Sequence, residues 1–131
     1  MLKSCVKRIA GLVVLSLLYA CASGPPDIVD EPGVNRLNAE QARNHVSDKT
    51  EKWREGHIYY KPDGTLLMVW RKIKIQGTWE VTPKGNICFN VKRWTQTCHY
   101  YVEHNGEIML ITGTRNRGAV ETVEGNHLPS R

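Results

Sequence analysis

The sequence predicts a mainly β fold: a small antiparallel meander that closes as a barrel or a sandwich, with one short N-terminal helix and one disulfide. Three observations lead to this prediction. From residue 56 onward, short apolar segments alternate with tight turns. These segments leave no room for the crossover helices that a parallel sheet needs. Two cysteines, Cys88 and Cys98, fall on consecutive predicted strands.

The first 20 of the 131 residues have the features of a bacterial lipoprotein signal peptide. A basic start precedes ten largely apolar residues, Ile9 to Leu18, a length typical of a signal core and too short to span a bilayer. Leu18-Tyr19-Ala20-Cys21 then resembles the lipobox, and this resemblance implies cleavage before Cys21 and lipid on its sulfur. The alternative is an ordinary signal peptide that ends beside an incidental cysteine.

Residues 21–36 are predicted to be a lipidated tether, because they are rich in proline and glycine and poor in apolar side chains. Ala22 follows the lipobox cysteine, and by resemblance to enteric lipoproteins this residue favours sorting to the outer membrane. We therefore expect a protein of the bacterial cell envelope that is anchored to the outer membrane through Cys21 and faces the periplasm. The membrane is its first expected partner.

Residues 37–128 are predicted to form the β domain with its leading helix, and residues 129–131 a short tail. The helix is expected from Leu37 to about Trp53. Asn38 is a good N-cap, and Gln41 three residues later completes a capping box. The apolar stripe of this segment is thin, which favours a helix that covers one end or edge of a larger structure.

The strands are predicted from β-rich segments that turn residues bound on both sides. Turns containing proline and glycine are expected at residues 61–64 and 82–85, and Asn105-Gly106 is the strongest short hairpin signal in the chain. About seven strands result: Ile58–Tyr60, Thr65–Trp70, Gly77–Val81, Ile87–Val91, Thr97–Val102, Glu107–Thr112 and Ala119–Val123.

The four cysteines divide by position. Cys5 leaves with the signal peptide and Cys21 carries the lipid, so Cys88 and Cys98 remain in an oxidising compartment and are predicted to form a disulfide. This bridge would staple one hairpin and, for so short a loop, contribute a little under about 3 kcal/mol. Two cysteines without a histidine at finger spacing are poor zinc ligands.

The net charge of the mature chain argues against nucleic acid as a partner. The formal charge of +5 includes Lys3, Lys7 and Arg8, which lie in the signal peptide. Removing these three of the 18 basic residues leaves 15 against 13 acidic residues. That excess is too small to predict a footprint for phosphates.

Lys92-Arg93-Trp94 is the most suggestive cluster for binding. It lies at the predicted tip of the stapled hairpin. A rigid tip of this composition suits contact with an envelope protein, a glycan or an anionic surface, since Trp and Arg are frequent interface anchors. The alternative is that Trp94 folds back to cap the barrel while the two cations are only solvated.

The sequence contains no pattern that predicts a catalytic residue, a cofactor or a metal site. The histidines lack metal-site spacing, and no Gly-x-Ser-x-Gly motif is present. The strand aromatics are expected to fill the core, although a hollow barrel lined by them could carry a lipid or another apolar ligand. We therefore expect a non-catalytic binding or structural domain of unknown specific activity, with an apolar-ligand carrier and a small envelope enzyme as alternatives. The oligomeric state stays open.

The order of these motifs resembles a bacterial family of small exported proteins, domain of unknown function 995. The matching residues are Leu37-Asn38-Ala39-Glu40, Lys49-Thr50, Tyr59-Tyr60-Lys61-Pro62-Asp63-Gly64-Thr65, Gly77-Thr78-Trp79, Ile87-Cys88, Cys98 and Gly125-Asn126. The resemblance covers about residues 37–128 and implies a small β domain with a disulfide. It implies no activity, because the function of the family is unknown.

Overall fold

The computed structural model describes residues 33–130 of the chain. In this part, one helix and ten strands follow one another: β1 (Asn35–Arg36), α1 (Ala39–Val46), β2 (Lys49–Lys52), β3 (Gly56–Tyr60), β4 (Thr65–Trp70), β5 (Ile73–Val81), β6 (Ile87–Val91), β7 (Thr97–His104), β8 (Glu107–Thr112), β9 (Arg115–Ala119) and β10 (Glu121–Glu124). The predicted signal peptide, Cys21 and most of the predicted tether lie outside the described residues. Within the described part, no helix has the length and apolar character needed to cross a membrane.

The strands form one antiparallel meander that nearly closes into a barrel. The order along the sheet is β10-β2-β3-β4-β5-β6-β7-β8-β9, and β1 pairs with the later part of β7. Only Val120 separates β9 from β10, so one extended segment pairs first with β8 and then with β2. The predicted fold class is confirmed, and the barrel is the form that the meander takes.

The predicted start of the helix is confirmed. The Asn38 side chain accepts a hydrogen bond from the backbone N–H of Gln41, and the Gln41 side chain accepts one from the backbone N–H of Asn38, both at 2.9 Å. Ala42 and Val46 are fully buried against the barrel, so the thin apolar stripe of the helix packs on the sheet as expected.

The predicted end of the helix, at about Trp53, was wrong. The helix ends at Val46, where its apolar stripe also ends. Ser47 is already extended, and Asp48 then adopts a φ of 57°, a left-handed conformation that keeps the chain from resuming the helix. The next residues, Lys49–Lys52, become a strand because they pair on both sides, with β3 and with β10.

The predicted number of strands was too low, because tertiary pairing recruits segments with weak strand signals. The polar strand β2 lies in the segment predicted to be helical. β5 begins at Ile73 instead of Gly77, and the predicted strand Ala119–Val123 is divided between β9 and β10. Pairing of the sheet also starts at Asn35, within the segment predicted to be tether.

The interior of the barrel holds the main core. Every buried member of this cluster is at most 6% exposed. The members are Leu37, Ala42, Val46, Ile58, Tyr60, Leu66, Met68, Trp79, Ile87, Phe89, Val91, Tyr101 and Leu110. Of the strand aromatics predicted to fill the core, Tyr60, Trp79, Phe89 and Tyr101 are therefore buried there, whereas Tyr59, Trp70 and Tyr100 are half-buried.

Cys88 and Cys98 form a disulfide, as predicted. They are direct partners across β6 and β7, and their Cα atoms lie 4.1 Å apart. The bridge therefore fixes the base of the connection between these strands, residues 92–96, which carries the predicted contact residues.

Candidate functional site

Three of the four tryptophans meet at one end of the barrel. Trp53 follows β2, Trp70 is the last residue of β4, and Trp94 lies between β6 and β7. The ring centroids of Trp53 and Trp70 are 6.0 Å apart, and those of Trp70 and Trp94 are 5.5 Å apart, both edge to face. Such aromatic pairs contribute about 0.5–1.5 kcal/mol beyond their burial, so the three connections stabilise one another.

We name the surface formed by residues 53–55, 70–73 and 92–96 the tryptophan end. It contains the large hydrophobic side chains that are exposed among the described residues, Ile73 at 46% and Trp94 at 36% exposure. Both adjoin Trp70: Ile73 is its partner across the β4–β5 hairpin, and the ring of Trp94 packs against its ring. Exposed apolar side chains that cluster in this way indicate a contact surface, whereas single ones do not.

The tryptophan end is also basic. Its exposed cations are Arg54, Arg71, Lys72, Lys92 and Arg93. Its one carboxylate, in Glu55, lies 3.2 Å from a guanidinium nitrogen of Arg71. A cleft of about 330 Å³ between Trp53 and Trp70 is also lined by Arg54, Glu55 and Arg117. The surface therefore combines an apolar centre with a strong excess of positive charge.

The β4–β5 turn at this end has a conformation that its residues do not favour. Arg71 and Lys72 have φ values of 46° and 68°, both left-handed, as a two-residue type I′ hairpin turn requires. The β7–β8 hairpin, at the opposite end of the barrel, holds Asn105 and Gly106 in the same two positions, with φ values of 52° and 77°. The Arg-Lys pair thus retains two cations beside Trp70 in spite of backbone strain, which is typical of functional sites.

The predicted contact residues Lys92, Arg93 and Trp94 lie at the tip of the stapled hairpin. Trp94 combines the two arrangements that the sequence left open, because its ring packs back against Trp70 and, at 6.4 Å, against Phe89, yet stays partly exposed. The sequence analysis missed the other parts of the surface. A signal for them was present, since an arginine adjoins each of the three tryptophans: Trp53-Arg54, Trp70-Arg71 and Arg93-Trp94.

A buried polar network lies inside the barrel, directly behind Trp53. Glu51 of β2 is fully buried and accepts hydrogen bonds from the indole N–H of Trp53 and from the hydroxyls of Tyr60, at 3.4 Å, and Tyr101. His99 Nε2 lies 3.1 Å from the Tyr101 hydroxyl oxygen. The sequence analysis missed this network because it assigned Glu51 to the helix.

The hydrogen-bond directions identify the tautomer of His99. The Tyr101 hydroxyl donates its proton to Glu51, so it can only accept from His99, whose Nε2 therefore carries the hydrogen. Nδ1 of His99 then presents a lone pair, and it has no hydrogen-bond partner among the described residues. The imidazole is neutral because burial lowers the pKa of His99 to about 3.

Burial is the main cause of the pKa shifts in this network. It raises the pKa of the Glu51 carboxyl above its ordinary 4.5, and the three donated hydrogen bonds offset only part of that shift. Burial also lowers the pKa of His99 to about 3, with a smaller contribution from His45. The hydroxyl pKa values of Tyr60 and Tyr101 are raised well above 10, first by burial and then by the charge of Glu51.

Two grooves of about 510 and 550 Å³ lie along the outer face of β4 and β5, where residues of the C-terminal segment 126–130 form one side. They are larger than the cleft at the tryptophan end. Their lining contains lysines, Lys72 and Lys74, but no aromatic ring. They therefore lack the anchor residues that distinguish the tryptophan end.

No arrangement of three or more His, Cys, Asp or Glu side chains that could hold a metal ion occurs within residues 33–130. His99 lies in the barrel interior, whereas His57 and His104 are half-buried and His127 is exposed. The fifth histidine, His45, is half-buried and packs edge to face on Tyr101, with ring centroids 4.6 Å apart.

No curated protein and no solved structure matches this chain. The family described as "Protein of unknown function (DUF995)" matches residues 14–106, more than two thirds of the chain. The matched region contains the tryptophan end, both disulfide cysteines and the buried network around Glu51, whereas β8 to β10 follow it. This match confirms the resemblance that the sequence motifs indicate: the chain belongs to the DUF995 family.

Proposed function

We propose that the chain is a lipid-anchored protein of the bacterial envelope, that its barrel is a non-catalytic binding domain, and that the tryptophan end is its contact surface. The observation that carries the proposal is the concentration of exposed apolar and cationic side chains at that end. The mature chain has only two more basic than acidic residues, whereas the tryptophan end has four more. Outside this end, residues 33–130 hold nine basic and nine acidic residues, of which Glu51 is buried, so the rest of the described surface is close to neutral and a partner can recognise the tryptophan end by charge.

The construction of the tryptophan end also suits binding. Trp and Arg are the side chains that most often dominate interface energies. The disulfide at the base of residues 92–96 and the ring contacts of Trp70 hold the surface in place before a partner arrives. A preorganised surface loses less conformational entropy on binding than a flexible one.

The position of the titratable groups supports a non-catalytic role. Glu51 and His99 have shifted pKa values, as catalytic groups often have. However, Glu51 is 0% and His99 1% exposed, and Glu51 is held by three internal donors. Neither side chain presents an atom to a substrate, so a structural role accounts for them.

Packing inside the barrel favours surface binding over the carrier alternative. Ligand pockets occupy roughly 300–1,000 Å³. The inward-facing side chains of Tyr60, Leu66, Met68 and Tyr101 are each at most 1% exposed and pack together. The strand aromatics therefore occupy the space in which a carrier would hold its ligand.

The anchoring part of the proposal depends on Cys21 and has its own test. Cells that express the full chain are fed a labelled fatty acid, and the protein is isolated. We expect the label on the protein, and its loss when Cys21→Ser is introduced. Equal labelling of both forms, or none of either, would remove the membrane anchor from the proposal.

The contact surface is tested by photocrosslinking in intact cells. A photoreactive side chain replaces Thr95, which is exposed in the tryptophan end, or, as a matched control, Glu107, which is exposed at the opposite end. We expect adducts of one defined mass class, whether protein, glycan or lipid, from position 95 and not from position 107. The same adducts from both positions, or none from position 95, would contradict the assignment of the contact surface.

A further inference from the structure

We infer that the tryptophan end docks on the anionic lipid surface of the membrane that carries the anchor. This inference rests on the proposed function and names the partner class of the same surface. A bilayer interface selects for three features: aromatic rings at the headgroup level, apolar side chains that enter the acyl boundary, and cations that neutralise lipid phosphates. The tryptophan end has all three.

The exposed apolar pair marks the part that enters the interface. Ile73 and Trp94 are 46% and 36% exposed, and both are neighbours of Trp70. Indole rings are enriched at the bilayer interface, and an aliphatic side chain lowers its free energy by leaving water for the acyl boundary. Ile73 and Trp94 would therefore enter the bilayer interface first, and Trp70 would lie behind them.

The charges around this pair match an anionic surface. Arg71 and Lys72 flank Ile73 on one hairpin, and Lys92 and Arg93 precede Trp94 on the other. Each cation close to an anionic bilayer strengthens binding about fivefold. The strained conformation of Arg71 and Lys72 is understandable if the two positions are retained for their charge.

The same residues fit a polysaccharide less well. Stacking on sugar rings would suit the tryptophans, but sugar hydroxyls also need carboxylate or amide partners. Glu55, the carboxylate of this surface, is paired with Arg71, and the side-chain amide of Gln96 donates to Glu80. The aliphatic Ile73 neither stacks on a sugar nor bonds to its hydroxyls. These three residues favour lipid over glycan.

The predicted tether is long enough for this orientation. The chain enters the sheet at Asn35, which is paired with Glu103 toward the opposite end of β7. Six residues of β7 separate that position from the start of the strand, a distance of about 20 Å along the barrel. The 14 residues that precede Asn35, beginning with Cys21, reach at most about 50 Å, so the anchor can lie beside the tryptophan end.

The test uses the lipidated protein isolated from membranes and reconstituted into vesicles. The vesicles contain phosphatidylcholine with about a quarter phosphatidylglycerol, and part of the lipid carries bromine on its acyl chains as a quencher of tryptophan fluorescence. We expect bromine to quench a component of the fluorescence that Trp94→Phe removes. Vesicles without phosphatidylglycerol should abolish this quenching because they lack the anionic lipid that the cations bind. Salt at about 0.5 M should also abolish it because the charges are then screened.

Charge variants give a second readout that does not alter the aromatic packing. Lys72→Gln and Arg93→Gln should each lower the docking equilibrium constant about fivefold, from about 1 kcal/mol per cation. Lys61→Gln and Lys84→Gln, at the opposite end of the barrel, are the matched controls and should leave it unchanged. Retention of the disulfide and of cooperative unfolding shows that each variant is folded.

Two results would overturn the inference. One is the absence of Trp94-dependent quenching on anionic vesicles, and the other is an equal effect of the variants at both ends. If position 95 still forms protein or glycan adducts in cells, the proposed contact surface stands and only the lipid partner is wrong. If position 95 forms none, both proposals fail.

Discussion

At the scale of single residues, the unusual feature is a carboxyl group in the centre of an aromatic core. Glu51 is buried among Trp53, Tyr60 and Tyr101, and each of these residues donates a hydrogen bond to it. Burial of a carboxyl is unfavourable unless donors surround it. The network therefore ties three rings of different strands and connections to a single acceptor, and it positions Trp53 at the tryptophan end.

The first prediction concerns the acceptor itself. Glu51→Leu leaves three buried donors without a partner, and each unsatisfied group costs about 1–3 kcal/mol. Glu51→Gln keeps one acceptor oxygen but turns an amide toward the Tyr101 hydroxyl. We expect the free energy of unfolding, measured by urea denaturation, to fall by about 1–2 kcal/mol for the glutamine variant and by more than about 3 kcal/mol for the leucine variant. Wild-type stability of the leucine variant would show that the network is not a stabilising feature.

The second prediction concerns pH. The pKa of His99 falls from 6.5 in the unfolded chain to about 3 in the folded protein, so the unfolded state takes up a proton first as pH falls, and stability is lost between these two values. The raised pKa of Glu51 acts in the opposite direction, because the folded state then binds the proton more readily. Its contribution is fully present at low pH and declines as pH rises through the raised value.

Urea denaturation of the wild type and His99→Phe at several pH values separates the two effects. The wild type should lose about 2–3 kcal/mol between pH 6.5 and about pH 4.5 through His99, at about 1.4 kcal/mol per pH unit. The phenylalanine variant should lose clearly less, although it starts lower because Tyr101 loses a partner. Replacement of the exposed His127 by glutamine is the control and should keep the wild-type profile. Parallel profiles for His99→Phe and the wild type would contradict the assignment.

At the scale of elements, two hairpin turns of the same geometry have different residues. Asn105-Gly106 is the pair that a type I′ turn favours, and it occupies the turn far from the tryptophan end. Arg71-Lys72 occupies the equivalent turn at the tryptophan end, where both residues have positive φ. A left-handed conformation costs a side-chain-bearing residue roughly 1–2 kcal/mol. The difference therefore indicates that the turn at the tryptophan end keeps two cations at a cost in folding stability, whereas the turn at the opposite end does not.

The third prediction exchanges these turns. Arg71→Asn with Lys72→Gly should raise the free energy of unfolding by about 1 kcal/mol, because the new residues favour positive φ. The same double variant should weaken vesicle docking, because it removes two cations. The reverse exchange, Asn105→Arg with Gly106→Lys, should lower stability and leave docking unchanged. A double variant at positions 71 and 72 that is less stable, or that docks like the wild type, would contradict this interpretation.

At the scale of the whole molecule, the barrel is closed by its last segment. β10 pairs with β2, and Gly125 and His127 hold Thr50 of that strand through two hydrogen bonds of 2.7 and 2.8 Å. These contacts bury both Thr50 and the edge of β2, which carries Glu51. The contacts that close the barrel therefore also bury the network around Glu51.

The fourth prediction removes this closure. A chain that ends at Val120 lacks β10 and the clamp on Thr50, so β2 becomes an open edge and Glu51 becomes hydrated. We expect a loss of about 3 kcal/mol or more, since several backbone hydrogen bonds of about 1 kcal/mol each disappear, together with binding of a hydrophobic dye. A chain that ends at Leu128 keeps every clamp contact and should unfold like the full protein. Cooperative unfolding of the shorter chain at wild-type stability would show that β10 does not close the core.

Local chemistry allowed most of the fold to be predicted. The capping box at Asn38, the Asn105-Gly106 turn and the alternation of Ile87, Phe89 and Val91 each depend on neighbouring residues. The chain therefore determines these features before any tertiary contact forms. The disulfide was predictable for a related reason: a hairpin of this length brings Cys88 and Cys98 opposite each other.

β2 and the tryptophan end depend on contacts between residues far apart in the chain. Lys49–Lys52 is polar and continues a helical pattern, and it becomes a strand only because β3 and β10 pair with it on both sides. Arg54, Arg71 and Arg93 lie in three separate connections, and only the closed barrel brings them to one end. By itself, the sequence thus determined the fold class, the hairpins and the disulfide, because these follow from local conformation. The tertiary structure alone decided where the buried carboxyl lies and which side chains share a surface, because both depend on how distant strands meet.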